Sequence, residues 1–245
     1  MSKITGGLNR LKKETAALKS KIEHPKNKYQ KQSYSQSGED LIIDFIFTQL
    51  GITKPSYLDI GAHHPFYLSN TALFYQKGGK GINVEPDPEL FNRFPAYRKN
   101  DTNLNCGIGN EAAEMCLHVM NEPALNTFSG EEAERLVKEH HFKIVNKITT
   151  PIKTVSSIVQ QYNNGIYPDL LSVDVEGFDE AIIKSINFNQ SPPTVICLET
   201  ITYSDSGNGI KDDEIINYVK SQGYMVYADT NINTIFVLEE KWKRK

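Results

Sequence analysis

Hydrophobic positions recur along this chain in two alternating rhythms. Leu41, Ile42, Phe45, Ile46 and Leu50 fall on one face of Glu39–Leu50, the spacing of an amphipathic helix. Ser56–Ile60 is a short apolar run between turn residues and reads as a buried strand. The pattern then predicts a helix over Ser69–Gln76, a strand over Gly81–Val84, helix over Pro88–Phe94, and strands over Asn103–Ile108 and Met115–Met120. A charged helix over Glu131–His140 interrupts it. It resumes with a helix over Thr154–Tyr162, a strand over Leu170–Val175, a helix over Asp179–Ile186, a strand over Thr194–Glu199 and a helix over Asp212–Gln222. Strands separated by helices imply βαβ units, hence a doubly wound, Rossmann-like, mainly parallel α/β sheet covered on both faces. Two final strands, Tyr224–Tyr227 and Thr234–Leu238, flank the turn-rich "ADTNIN" and close the sheet with a C-terminal antiparallel hairpin.

Ahead of this body, Ile4, Leu8, Leu11, Thr15, Leu18 and Ile22 form a short helical seam that ends at His24-Pro25. Charge separates the two parts. Residues 1–31 hold nine basic residues against two acidic ones, so a net −3 overall leaves −10 on the remainder. The expected organisation is a basic N-terminal helix or tail over 1–32 and one domain over 33–245. An acidic body disfavours a nucleic-acid partner. The basic helix is a candidate for oligomer contact or weak docking on an anionic membrane face. No apolar stretch approaches the ~18 residues of a membrane span, and the N-terminus lacks the apolar core of a secretory signal. Cys106, Cys116 and Cys197 are odd in number, lack CxxC spacing and lie in strand-like runs. They are expected to be buried free thiols, in a cytoplasmic protein.

Candidate chemistry begins at "SYLDIGAHHPFYLSNTALFYQKGGKGINVEP", residues 56–86. In a doubly wound sheet, ligands bind at the carboxyl ends of the strands where strand order reverses. Asp59 and Gly61 stand at such an end, and Glu85 closes the next strand, where a carboxylate can accept hydrogen bonds from both ribose hydroxyls. A dinucleotide would require G-x-G-x-x-G, but His63 and Pro65 occupy the later glycine positions and Pro65 has no N–H for a phosphate. A ribose-bearing ligand without a pyrophosphate fits better, and S-adenosylmethionine is the obvious one.

The ordered set "YSQSGEDLII" (34–43), "LDIGAHHPFYLSNT" (58–71), "GINVEPDP" (81–88), "LNCGIG" (104–109), "LLSVDVEGFDEAII" (170–183) and "VICLE" (195–199) resembles the FkbM family of S-adenosylmethionine-dependent methyltransferases. The resemblance spans about residues 33–240 and implies a class I methyltransferase fold, the doubly wound sheet closed by a C-terminal antiparallel hairpin, and methyl transfer to a hydroxyl oxygen, often in glycan or natural-product assembly. It places Asp59, Gly61 and Ala62 in the cofactor turn, Glu85 on the ribose, Asn105 and Cys106 near the adenine, and Gln36, Gly38 and Glu39 on a covering segment. His63 and Pro65 depart from the Asn and Gly found in many members. The "AHHP" form is similar to a subgroup associated with surface polysaccharides.

A sugar hydroxyl needs a general base or a Lewis acid before it can attack a sulfonium methyl. Both are available at the right end of the sheet. Asp174 ends one core strand, with Glu176 two residues on, and Glu199 ends the neighbouring strand. Adjacent strands lie about 5 Å apart, so Asp174 and Glu199 can bracket an ion. An all-oxygen set suits Mg²⁺ or Mn²⁺, and adding His63 or His64 would suit Fe²⁺. The same carboxylates also serve to brace the following helix. Either His63 or His64 can act as base near neutral pH, or both can simply shape the turn. The excursion from Met120 to Thr150 is long enough to bind substrate, with Asn126, Thr127 and Phe128 as candidate contacts, and Tyr203 is another. The leading expectation is an O-methyltransferase acting on a sugar hydroxyl, in a nucleotide sugar or a surface-glycan precursor. A polyketide or other non-carbohydrate acceptor is the alternative, and a nicotinamide-dependent oxidoreductase is the reading from a different class.

Overall fold

The structure, a computed structural model, describes residues 29–204 and 209–243. The chain divides into two units, residues 1–32 and 33–245. The seam over residues 4–22 lies outside the described residues.

The second unit opens with α1 (Glu39–Leu50), followed by β1 (Ser56–Ile60), α2 (Ala72–Gln76) and β2 (Lys80–Val84). Then come α3 (Pro88–Phe91), α4 (Phe94–Tyr97), β3 (Thr102–Leu104), β4 (Gly107–Ile108), β5 (Ala113–Met120), a 3-10 turn (Pro123–Leu125), α5 (Gly130–Glu139) and β6 (Ile144–Lys153). The remainder is α6 (Val155–Tyr162), β7 (Leu170–Val173), α7 (Asp179–Lys184), β8 (Val195–Glu199), α8 (Asp213–Ser221), β9 (Tyr224–Asp229), β10 (Asn233–Leu238) and α9 (Glu239–Lys243). The main sheet has the order β3-β2-β1-β7-β8-β10-β9. It is parallel from β3 to β8, whereas β10 runs antiparallel to both β8 and β9. Strand order therefore reverses between β1 and β7, where Asp59 pairs with Ser172 and Ile60 with Val173.

Alternation along each strand divides the core in two. Leu58, Ile60, Leu171, Val173, Ile196 and Leu198 pack with Val155, Ile158, Ile182, Ile215 and Val219 from α6, α7 and α8. Tyr57, Leu170, Val195, Cys197, Ile235 and Val237 face the other way, against Ile43, Ile46 and Phe47 of α1 and Phe74 of α2. Apart from Asp59 and Ser172, the central positions of β1, β7 and β8 are apolar, which is why these strands read as near-continuous hydrophobic runs.

Three expectations need correction. The single strand expected over 103–108 is two, because Asn105 turns the chain between them: its Nδ2 donates to the carbonyls of Glu85 (2.9 Å) and Pro86 (3.0 Å). β3 stays in the main sheet and β4 joins a second sheet of order β4-β6-β5. That sheet contains the unforeseen strand β6, which pairs antiparallel with β5 and makes the 120–150 excursion a folded lobe. Cys106 and Cys197 are buried free thiols, but Cys116 is exposed because it alternates with buried Leu117 and lies on the outer face of β5. Among the described residues, no helix is long and apolar enough to cross a membrane.

Candidate active site

β1 leads directly into Gly61, whose φ of +78° is left-handed. A Cβ at Gly61 would lie 1.7 Å from the carbonyl oxygen of Asp174, so the turn passes over the end of β7 only because a side chain is missing. The N–H groups of Gly61 and Ala62 both donate to the Val84 carbonyl at 3.1 Å, which locks the turn onto β2. His63 follows with φ +52°, and its N–H donates to Glu85 Oε2 at 2.7 Å. Asp87 N–H donates to Glu85 Oε1 at 2.8 Å. Glu85 is 4% exposed. Burial pushes its pKa up to about 8, the two N–H donors act against the shift, and the Asp87 and Asp59 charges add to it.

A cavity of about 390 Å³ opens beside this turn, at the switch between β1 and β7. Of the residues expected from sequence, it gathers Gln36, Gly61, His63, Glu85, Asn126, Phe128, Asp174, Glu176, Glu199 and Tyr203. Leu68, Leu90, Leu117, Leu125, Val175 and Ile201 supply apolar walls, and Glu122 adds a carboxylate. Gln36 reaches the cavity because the carboxylates at the start of α1 organise the loop before it. Asp40 accepts from Ser33 and Ser35 hydroxyls and from the Tyr34 N–H, at 2.6, 2.9 and 2.7 Å.

The other expected residues stand behind the cavity wall. Glu39 is buried and accepts from the Ser37 N–H, Thr230 Oγ1 and Asn233 Nδ2, tying the Gln36 loop to the β9–β10 turn. Asp59 faces the α2 side, where Thr71 Oγ1 donates to it at 2.6 Å, and burial raises its pKa. Ala62 is buried beside the turn. Asn105 is committed to the carbonyls named above, and Cys106 is packed in the core with its thiol pushed up to about 11 by burial. Thr127 is buried, and its Oγ1 donates to the Glu176 carbonyl at 2.7 Å. Asn126 lines the cavity with both ends of its amide engaged, donating to Asp87 Oδ2 and accepting from Met120 N–H.

The two histidines separate sharply. His64 Nδ1 accepts the N–H groups of Phe66 (3.1 Å) and Tyr67 (3.0 Å), so its ring braces the turn. His63 lines the cavity, and its Nδ1 is buried without a hydrogen-bond partner. Burial lowers its pKa, with a smaller push from His64, so the ring is neutral at pH 7 and can take up a proton.

Opposite lie the acidic strand ends. Asp174, Glu176 and Glu199 each offer an oxygen, and all three oxygens lie within 4.8 Å of one another. Burial pushes Asp174 up to about 6, partly offset by a hydrogen bond from Glu199. Glu199 and Glu176 sit well above the usual carboxylate range, first from burial; the Glu176 and Asp174 charges add to the shift at Glu199, and the Asp174 and Asp179 charges to that at Glu176. Asp179, pushed up to about 7, accepts from the Val175 N–H and anchors the loop. Glu176 itself has φ +48°, a strained value that the Thr127 hydroxyl helps to hold. Three carboxylates at this spacing form an all-oxygen donor set, which an ion of charge +2 with oxygen preference fits.

Sequence reasoning passed over Arg98. It is fully buried, donates to Asp101 Oδ2 (2.9 Å), Thr71 Oγ1 (3.0 Å) and the Pro65 carbonyl (3.1 Å), and lies over the Tyr57 and Tyr75 rings. Arg98 thereby ties the His63 turn to the sheet. Its only sequence signal was an arginine followed three residues later by Asp101.

The family profile described as Methyltransferase FkbM domain matches residues 59–226. This chain belongs to the FkbM methyltransferase family. The matched region is a methyltransferase domain, which speaks against the nicotinamide alternative. Among solved structures, the FkbM methyltransferase of Methylobacillus flagellatus is 13% identical with a TM-score of 0.42, over 76% of this chain and 44% of that one. This chain therefore spans less than half of that protein. A TehB-like S-adenosylmethionine-dependent methyltransferase of Corynebacterium glutamicum is 9% identical, TM-score 0.40, over 96% and 99% of the two chains. The 1,6-didemethyltoxoflavin-N1-methyltransferase of Burkholderia thailandensis, solved with 1,6-didemethyltoxoflavin and S-adenosylhomocysteine, is 9% identical, TM-score 0.38, over 82% and 77%. No curated protein matches this chain.

Proposed function

We propose that this methyltransferase is an O-methyltransferase that acts on a sugar hydroxyl, in a nucleotide sugar or a glycan precursor, with His63 as base. The observation that carries this reading is convergence: His63, Asp174, Glu176 and Glu199 meet in one cavity beside Gly61 and Glu85. Glu85, fixed by two backbone donors, keeps lone pairs for the hydroxyls of a ribose, and the apolar wall of Leu90, Leu117, Leu125 and Phe128 suits a purine. S-adenosylmethionine, when bound, supplies the electrophilic methyl group. His63 is held neutral by burial and takes the hydroxyl proton as the oxygen attacks. Asp174, Glu176 and Glu199 would hold a divalent cation, Mg²⁺ or Mn²⁺ by donor type, and the ion would acidify the acceptor hydroxyl. His64, whose Nδ1 is occupied by the turn, serves structure.

The test is methyl transfer to a panel of nucleotide sugars, before and after EDTA, and again with Mg²⁺, Mn²⁺ or Fe²⁺ restored. Sugar methylation restored by an ion supports the whole reading, and methylation indifferent to EDTA removes the ion and keeps His63. The apolar walls also suit a polyketide or phenol, so such an acceptor belongs in the panel, and its exclusive turnover would overturn the sugar assignment. In parallel, Asp174→Asn is expected to abolish turnover while leaving S-adenosylhomocysteine affinity within about threefold, whereas Glu85→Ala should weaken that affinity by roughly the value of a charge-assisted hydrogen bond or more.

A further inference from the structure

The turn from His63 to Leu68 is built at unusual expense. Both ends are non-glycine residues in the left-handed region, His63 at φ +52° and Leu68 at φ +54°, and both line the cavity. Between them the backbone is clamped from four directions. His63 N–H is held by Glu85, the Pro65 carbonyl by Arg98, the Phe66 and Tyr67 N–H groups by His64 Nδ1, and Ser69 N–H by the Tyr34 carbonyl. Phe66 is wedged between the rings of Tyr34 and Tyr97, with centroids 5.9 and 6.1 Å away. Strain over-determined in this way marks a segment that holds something in position. What it holds outward is Tyr67, 63% exposed, with its ring centroid 6.2 Å from that of His63.

Resting on the sugar-methylating reading above, we propose that Tyr67 is the platform on which the acceptor sugar ring stacks, so that the turn sets which face of the acceptor meets His63. An exposed aromatic ring takes the C–H face of a pyranose, while the cavity beside it offers partners for the hydroxyls. The charged side chains lining the cavity, among the described residues, are Glu85, Glu122, Asp174, Glu176 and Glu199, with no lysine or arginine. That set offers acceptors to hydroxyl donors and no basic side chain to a diphosphate, which places the sugar end of a nucleotide sugar inward and its diphosphate outside. Tyr67 is a specificity-determining residue in this scheme and takes no part in proton transfer.

The experiment compares wild type, Tyr67→Phe and Tyr67→Ala with GDP- and UDP-hexoses as acceptors, reading kcat and KM separately alongside calorimetric affinity for S-adenosylhomocysteine. Tyr67→Ala should raise acceptor KM roughly tenfold, the worth of one aromatic contact, with kcat and S-adenosylhomocysteine affinity unchanged. Tyr67→Phe, which keeps the ring face, should stay within about twofold of wild type on the same scale. An unchanged KM in Tyr67→Ala, or losses of S-adenosylhomocysteine affinity equal to the KM effect, would overturn the platform and leave the turn as scaffold only. Inhibition by GMP or UMP that Tyr67→Ala relieves would put the base on the ring and also overturn it. If no sugar is methylated by wild type while S-adenosylhomocysteine still binds, the functional reading falls first and this inference with it.

Discussion

The affinity of the methyltransferase for S-adenosylhomocysteine should climb steeply between pH 6 and pH 8, through Glu85. In the ligand-free site this carboxyl titrates near pH 8, because burial removes the water that would solvate its charge. Ribose hydroxyls are donors, so their hydrogen bonds favour the ionised form. Two bonds to a charged acceptor at about 1.5 kcal/mol each give about 3 kcal/mol, or a bound-state pKa lowered by roughly 2 units, to about 6. By linkage, binding then releases a proton in the window from about 6 to 8, and the dissociation constant falls by roughly 25-fold across it, out of about 100-fold in all. Above about pH 9 both states are ionised and the curve flattens. Asp174, pushed up to about 6, and Asp179, pushed up to about 7, titrate in the same window, so the slope alone does not isolate Glu85. Glu85→Gln does, since the amide oxygen still accepts one backbone N–H but cannot ionise. The assay is isothermal calorimetry at half-unit steps of pH, in buffers of differing ionisation enthalpy to count the released proton. A flat profile in wild type, or the same rise in Glu85→Gln, would refute the assignment of the ribose to Glu85.

Three further outcomes follow from the same geometry. Glu85, Asp174 and Asp179 titrate in the folded state near 8, 6 and 7, above their unfolded values, so the ligand-free fold binds extra protons between about pH 4 and 8. Its stability is therefore greatest at the acid side of that window and declines as pH rises through it; differential scanning calorimetry should show Tm falling from pH 5 to 8, and a Tm that rises instead would contradict the acidic-cluster geometry. Added Mn²⁺ should recover part of the loss at pH 8, where the cluster is most charged. Gly61→Ala places a methyl 1.7 Å from the Asp174 carbonyl at a positive φ, so it should lower stability by about 3 kcal/mol or more, or prevent soluble expression; a normal melting curve would show that the turn is not pinned to β7. His63→Gln should reduce kcat by about 100-fold or more with Tm nearly unchanged, whereas His64→Ala, which strips two N–H groups of their acceptor, should lower Tm by several degrees and raise mobility of the turn without erasing turnover.

The fold and the cavity's location were legible because topology needs little more than periodicity. Once the strands read as apolar runs separated by helices, their carboxyl ends had to converge, and Gly61, Glu85, Asp174 and Glu199 stand at those ends. Strand β6 was not legible: its apolar positions, Ile144, Ile148 and Ile152, alternate weakly among exposed polar residues, and Pro151 argues against a central strand. Exposure at Cys116 follows from which face of β5 packs inward, with Leu117 buried beside it.

What a buried polar side chain is for was harder to read than where it lies. Asp59, Glu39 and Asn105 are of the types that bind ligands, and each is instead satisfied by protein donors or acceptors: Thr71 for Asp59, the Ser37 N–H with Thr230 and Asn233 for Glu39, two carbonyls for Asn105. No local spacing distinguishes the two uses, since the partners are 12 to 194 residues away except for Ser37. The histidine pair shows the sharper form of the difficulty. His63 and His64 are adjacent and chemically identical, yet one lines the cavity and the other accepts two turn N–H groups. The left-handed backbone at His63 reverses the chain between them, and that conformation is imposed from outside, by Glu85 receiving the His63 N–H and by Arg98 holding the Pro65 carbonyl. The division of labour between the histidines is therefore written in a glutamate 22 residues on and an arginine 33 residues beyond Pro65. It follows that substitutions at Arg98 should disturb His63 before they disturb the acidic strand ends, because Asp174 and Glu199 are held by the sheet itself.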